Sequence, residues 1–135
     1  MLHHLFFLFL IMLAVALDAY SDARIDLTGK RSHIAEISMI VVFFLIFFLR
    51  DFYYIGFINI AASYLALRVG LFGYIYNKTR GDLPDFFVGT TDPIFDKIMN
   101  KVPSSVITSI SIVSVFLGVV SIYFDFALAF FGVYL

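Results

Sequence analysis

The side chains able to do chemistry are few, and each is set among apolar residues. Asp18, His33, Glu36, Arg68 and Asn77 lie inside or at the ends of long apolar runs. A charge in that setting is costly unless it faces protein or water. Gathered together, the five would make a polar pocket for a lipid headgroup, an ion or a proton. The competing and simpler reading is a structural ion pair whose long side chains snorkel to an interface. His33-x-x-Glu36 has the spacing of a di-metal helix, but such sites repeat the pair and add carboxylates from facing helices. The motif occurs once, so no metal is expected. Asp92 and Asp96 have the spacing to hold Mg²⁺ against a phosphate ligand, and Gly89-Thr90-Thr91-Asp92 precedes a helix as anion cradles do. That segment lacks the lysine and glycines of a phosphate loop, so a helix cap and a solvated aspartate account for it. His3-His4 reads as a terminal pair. There is no nucleophile elbow, zincin motif or haem-binding histidine pair. The absence of Cys removes thiolate sites, disulfides and cysteine nucleophiles together. No catalytic residue and no cofactor follows from these patterns.

The elements that must position these groups are set by composition. Of 135 residues 62% are hydrophobic and 14% charged, with mean hydropathy +1.01. A water-soluble domain is about half apolar and about a quarter charged. So small a globule cannot hide that much apolar surface, which makes lipid its solvent. The net charge of -1 offers no footprint for DNA or RNA. Four apolar runs stand out, and lipid satisfies no open backbone, so helices rather than strands are expected. The fold class is all-α: one integral membrane domain over residues 1–135. Its transmembrane helices are expected near residues 3–17, 34–49, 52–76 and 105–124 or longer. Ala14-Val15-Ala16 has the look of a cleavage site, but no Lys or Arg precedes the first run, so a retained helix is expected.

Charge bias gives an orientation. Arg24, Lys30 and Arg31 fall between the first two runs, and Lys78, Arg80, Lys97 and Lys101 between the last two. A tight turn at Arg50-Asp51 holds one cation, and Arg68 sits inside the third run. Cytoplasmic loops collect Lys and Arg. Both long connections are therefore expected in the cytoplasm and both termini outside, in a bacterial inner membrane or a phage-associated membrane. Asp92-Pro93 reads as a helix start. From there, residues 93–102 alternate Ile94, Phe95, Ile98, Met99 and Val102 with Asp96, Lys97, Asn100 and Lys101. A short amphipathic interfacial helix is expected there, ended by Pro103.

Two stripes of small residues predict how the spans pack. Gly56, Asn59, Ser63, Ala66, Gly70, Gly73 and Asn77 alternate spacings of three and four, the period of a left-handed helix pair. Ser104, Ser111, Gly118, Asp125 and Gly132 are seven apart. Small residues allow close backbone approach in lipid. The third and fourth helices are thus expected to pack through Gly56, Ser63, Gly70, Gly73, Ser111 and Gly118. Counted from a turn at Arg50-Asp51, Arg68 lies about 25 Å deep at the helical rise, near the inner interface. At that depth it would pair with Glu36, with Asp18 close by. Asp125 would return to the outer surface beside Arg50, and the apolar tail 126–135 has no place in a simple four-span scheme.

Asp18-Ala19, His33, Arg68, Tyr76-Asn77, Gly81, Gly89-Thr90-Thr91 and Asp96-Lys97 together resemble a family of small multi-span membrane proteins of bacteria and their phages. Members carry an acidic residue where Tyr74 stands here. The resemblance implies a fold and no activity. Three expectations of function follow from the residues. The first is a non-enzymatic accessory or structural subunit, whose partners are the lipid bilayer and other membrane subunits. The second is a self-assembling, pore-forming or holin-like protein using the same stripes between copies. The third is a lipid-modifying enzyme built on Asp18, Glu36, Arg68 and the Gly89–Asp96 segment.

Overall fold

A computed structural model describes residues 2–53, 55–81 and 101–124, the side chains of 51–53 excepted. Those residues form four helices and no strand: α1 (Leu2–Thr28), α2 (His33–Tyr53), α3 (Phe57–Arg80) and α4 (Ser104–Ile122). All four are long and apolar enough to cross a membrane. Most of the expected interfacial helix at 93–102, together with Asp92, Asp96, Asp125 and the tail, lies outside the described residues. Lys101 and Val102 form a turn and a bend before Pro103, which is extended at φ -56, ψ 140 and opens α4.

Two boundaries differ from the apolar runs. α1 continues eleven residues past Leu17, through Asp18, Asp22 and Asp26. Charge alone marked this stretch as a connection, but carboxylates four apart share one helical face. That face packs on α3, so the helix gains by continuing. It stops at Gly29, whose φ of 67 supplies the left-handed cap and whose N–H donates to the Ile25 carbonyl at 2.7 Å. The second difference is the α2–α3 turn. Arg50 and Asp51 sit in the last turn of α2, and the chain reverses between Tyr53 and Phe57. Ile55 N–H donates to the Arg50 carbonyl at 3.2 Å, and Gly56 is extended at φ -61, ψ 136. Arg50 in a final helical turn meets the negative end of the helix dipole.

The helices pack as a row with one fold-back: α2 on α1, α1 on α3, α3 on α4. At one end His4 of α1 stacks on Tyr123 beside α4, ring centroids 5.2 Å apart. α2 reaches α3 through the edge contact of Phe43 on Tyr64 at 5.4 Å. The core lies between the central pair and its neighbours, with Phe7, Ile11, Val15, Ile46, Leu67 and Ile122 fully buried.

The seam between α3 and α4 is close because it has little side chain. Ser63 is fully buried, and its hydroxyl donates across the seam to the Gly118 carbonyl at 2.7 Å. A methyl group at Gly70 would stand 2.7 Å from the Ser111 carbonyl oxygen and 2.9 Å from the Val115 nitrogen. One at Gly118 would meet Leu67 Cγ at 2.6 Å. Ser63, Gly70, Ser111 and Gly118 therefore meet in one interface. Gly56 is the residue before α3, and Gly73 is exposed, with no atom of the described residues within 4 Å of an added methyl. Gly73 stands off the seam because the three-residue step from Gly70 falls about 60° short of a full turn, and Asn77, four residues on, is buried again.

Candidate functional site

The ionisable groups meet on the α1–α3 interface. Along α1, Asp18, Asp22 and Asp26 recur every fourth residue, and along α3 Arg68, Phe72, Tyr76 and Arg80 do the same. Two helices running in the same direction bring these rows face to face. Arg68 Nε donates to Asp18 Oδ2 at 2.9 Å, fifty positions apart in the chain. The Tyr76 hydroxyl donates to Asp26 Oδ2, again fifty apart. Arg80 Nη1 donates to the Tyr76 oxygen at 3.2 Å and stands 3.7 Å from Asp26. Arg68 lies over the Phe72 ring at 5.0 Å and Arg80 over Tyr76 at 5.8 Å. Asp22, between the two linked aspartates, makes no ion pair among the described residues. The result is a ladder of three carboxylates, two guanidiniums and a phenol.

The expected five-residue cluster divides into three places. Asp18 and Arg68 form one ion pair. Glu36 does not reach Arg68: it stands 3.7 Å from Arg31 and 3.7 Å from His33 Nδ1, at the α1–α2 connection. The reason is the row order. α2 packs on α1, which places α1 between Glu36 and α3. Asn77 is buried on α3, seven residues beyond Gly70, and the ladder does not include it. Asp22 and Asp26 are absent from the sequence expectation and Arg80 enters it only as a connection charge and Tyr76 only through a resemblance, although the matching four-residue spacing on two segments is a usable signal. Among the described residues no group of three His, Asp or Glu gathers as metal ligands would.

The height of the Asp18–Arg68 pair follows from two independent counts. A four-residue link joins α1 to α2, so His33 stands beside Thr28 and, at equal rise, Phe43 stands beside Asp18. The fifty-residue register of α1 on α3 puts Phe57 level with Phe7, where the same count places the end of α2. The counts close on each other. Phe43 is the middle of α2, and Arg68 is the middle of α3. Across the seam, the Gly70–Ser111 and Ser63–Gly118 contacts set Arg68 level with the middle of α4. The pair is thus at mid-height in three of four helices, and the rest of the ladder descends from it to the end carrying Gly29 and Gly81. Arg68 is therefore nearer the middle of α3 than a count from Arg50-Asp51 gives, because the reversal between α2 and α3 comes later.

No protein-family model, curated protein or solved structure matches the chain.

Proposed function

We propose that this chain is a multi-pass membrane protein that works by packing, as a non-enzymatic accessory or structural subunit among other membrane components. One observation carries the reading: the outward faces of the two flanking helices are dominated by large apolar side chains, with Ser104, Ser105 and Ser109 exposed in the first turns of α4. On α2 these are Ile34, Ile37, Ile40, Val41, Phe44, Phe47 and Phe48; on α4 they are Val106, Ile110, Val113, Phe116 and Val120. Water cannot be the neighbour of so much contiguous apolar surface. Lipid and other helices are its solvent, and the lysine and arginine bias supports both termini outside the cytoplasm.

A self-assembling pore would use the small-residue stripes between copies. The bond from Ser63 to Gly118 within one chain supports the subunit reading instead. An enzyme on Asp18, Glu36 and Arg68 needs the three together, and Glu36 stands apart. Photo-reactive residues at Phe44 and Phe116 in native membranes test the proposal. The expected product is one adduct of fixed mass containing a different membrane chain, in a fraction that resists alkaline washing. A ladder of multiples of the chain's own mass would favour the pore. Lipid adducts alone from both positions would overturn the subunit reading.

A further inference from the structure

The charges of α1 are divided between two faces. Asp18, Asp22 and Asp26 form the row turned to α3. Arg24 lies two residues from both Asp22 and Asp26, about 160° around the helix from each, on the side away from that row. It shares its face with Phe9, Tyr20 and Leu27, all exposed. Arg31, Arg68 and Arg80 each stand against a carboxylate: Glu36 at 3.7 Å, Asp18 at 2.9 Å and Asp26 at 3.7 Å. Arg24 and Lys30 differ. Both are exposed, and neither side chain has an acceptor among the described residues.

The link that follows α1 sets the level of these two cations. Residues 29–32 are not helical, and lipid satisfies no open backbone, so a spanning α1 has left the hydrocarbon by Gly29. Arg24 precedes Gly29 by five residues, about 7 Å at the helical rise, a distance its own side chain can cover. The end of the helix then positions the second cation. The Thr28 hydroxyl donates to the Arg24 carbonyl at 2.7 Å, and the Lys30 N–H donates to the Thr28 hydroxyl oxygen at 3.3 Å. Lys30 is thereby held against the end of α1, beyond Arg24 on the way to water. Tyr20 stands one turn deeper on the face of Arg24, as aromatic rings do beside headgroups.

We propose that the Tyr20–Arg24–Leu27 face of α1 binds an anionic phospholipid, with its phosphate on Arg24 and its acyl chains lying along α1 toward Phe9. A guanidinium pairs two N–H groups with two phosphate oxygens. Lys30, the next cation outward, repels the ammonium of a zwitterionic headgroup and so selects one whose net charge is negative. The carboxylates that would oppose an anion are on the far side of α1, where Arg68 and Arg80 meet two of the three. The inference rests on the membrane reading above, and it adds a ligand class and the residues that select it.

The chain has no tryptophan, so a single introduced one reports on the lipid beside it. Leu27→Trp puts the reporter at the site, and Phe9→Trp puts it on the same face toward the other end of α1. Each full-length chain is reconstituted in bilayers of equal phosphatidylglycerol and phosphatidylcholine, with one lipid or the other brominated on its acyl chains. Quenching at Leu27→Trp is expected to favour phosphatidylglycerol about fivefold, the effect of one cation at a membrane surface. Phe9→Trp should show no preference. In the Leu27→Trp chain, Arg24→Gln should remove the preference and Lys30→Gln should reduce it. Neither should move the unfolding midpoint, because neither side chain has a partner in the fold. Millimolar inorganic phosphate should leave the preference intact; its loss would overturn the lipid site in favour of one for free phosphate. Equal quenching by the two lipids at Leu27→Trp, or a preference that survives Arg24→Gln, also overturns the proposal. Absence of quenching at both reporters would overturn the membrane reading itself, which is distinct from a loss of selectivity alone. The adducts from Phe44 and Phe116 report on the subunit reading separately.

Discussion

At the scale of single residues, Gly70 and Gly73 make a controlled comparison. They lie three positions apart within one helix, Gly70 buried against α4 and Gly73 exposed. Only at Gly70 is the added methyl opposed by backbone atoms, the Ser111 oxygen and the Val115 nitrogen, which cannot step aside as a flexible side chain would. Gly70→Ala should therefore push α4 off α3 and cost about 1–3 kcal/mol. Gly73→Ala should be neutral or slightly stabilising, since alanine is the better helix former. Thermal unfolding in one detergent compares them directly, and an equal loss from both would refute the seam geometry. The hydroxyl of Ser63 belongs to the same seam. Ser63→Ala leaves the Gly118 carbonyl without that donor, and interhelical bonds of this kind contribute about 0.5–1 kcal/mol in membranes. The helical carbonyl keeps its bond along α4, so the expected loss is smaller than at Gly70. A larger loss for Ser63→Ala would mean that hydrogen bonding rather than close approach dominates the contact.

At the scale of elements, α1 is held to α3 by an apolar core, with Ala19 and Ala23 buried against Tyr76, and by the paired polar rows beside it. Either single change, Asp18→Asn or Arg68→Gln, should lower the unfolding midpoint, because each strands a polar partner at mid-height. Exchanging the two, Asp18→Arg with Arg68→Asp, should recover most of the loss. A double variant as unstable as the sum of the singles would show that the pair contributes nothing specific. This interface also shows what the amino-acid pattern disclosed. Four long apolar runs are hard to read as anything but helices, and the alternating stripe through Ser63 and Gly70 points to α4 by its spacing alone. The end of α1 was not legible by the same means. Charge density argued for a connection after Leu17, while the four-residue repeat of Asp18, Asp22 and Asp26 argued for helix. A partner row on α3 was needed to decide between them. The reversal at Ile55-Gly56 was obscured likewise, since Arg50 and Asp51 advertise a turn while serving as the last turn of α2. That shift of a few residues puts Arg68 at the middle of α3, where it pairs with Asp18 while Glu36 meets Arg31 and His33.

At the scale of the whole molecule, the parallel register of α1 and α3 fixes which ends lie together. The Gly29–Ser32 link and the segment that opens α4 at Lys101–Pro103 belong to one end; Leu2, the Tyr53–Phe57 reversal and Tyr123 belong to the other. Lysine and arginine gather at the first end, so that end should face the cytoplasm. The chain contains no cysteine, which lets single engineered thiols report topology without background. In intact cells a membrane-impermeant maleimide should label Leu2→Cys and spare Ser32→Cys and Lys101→Cys; after disruption of the membrane all three should react. Ser32 and Lys101 flank different helices, so their shared protection tests the helical pairing and not merely the depth of one loop. Opposite labelling of Ser32→Cys and Lys101→Cys would require an odd number of crossings between them. The parallel pairing of Asp18 with Arg68 and of Asp26 with Tyr76 could not then coexist with a membrane-spanning α2 and α3. Labelling of both from outside would preserve the fold and invert the orientation, placing the open end of the carboxylate ladder at the outer surface.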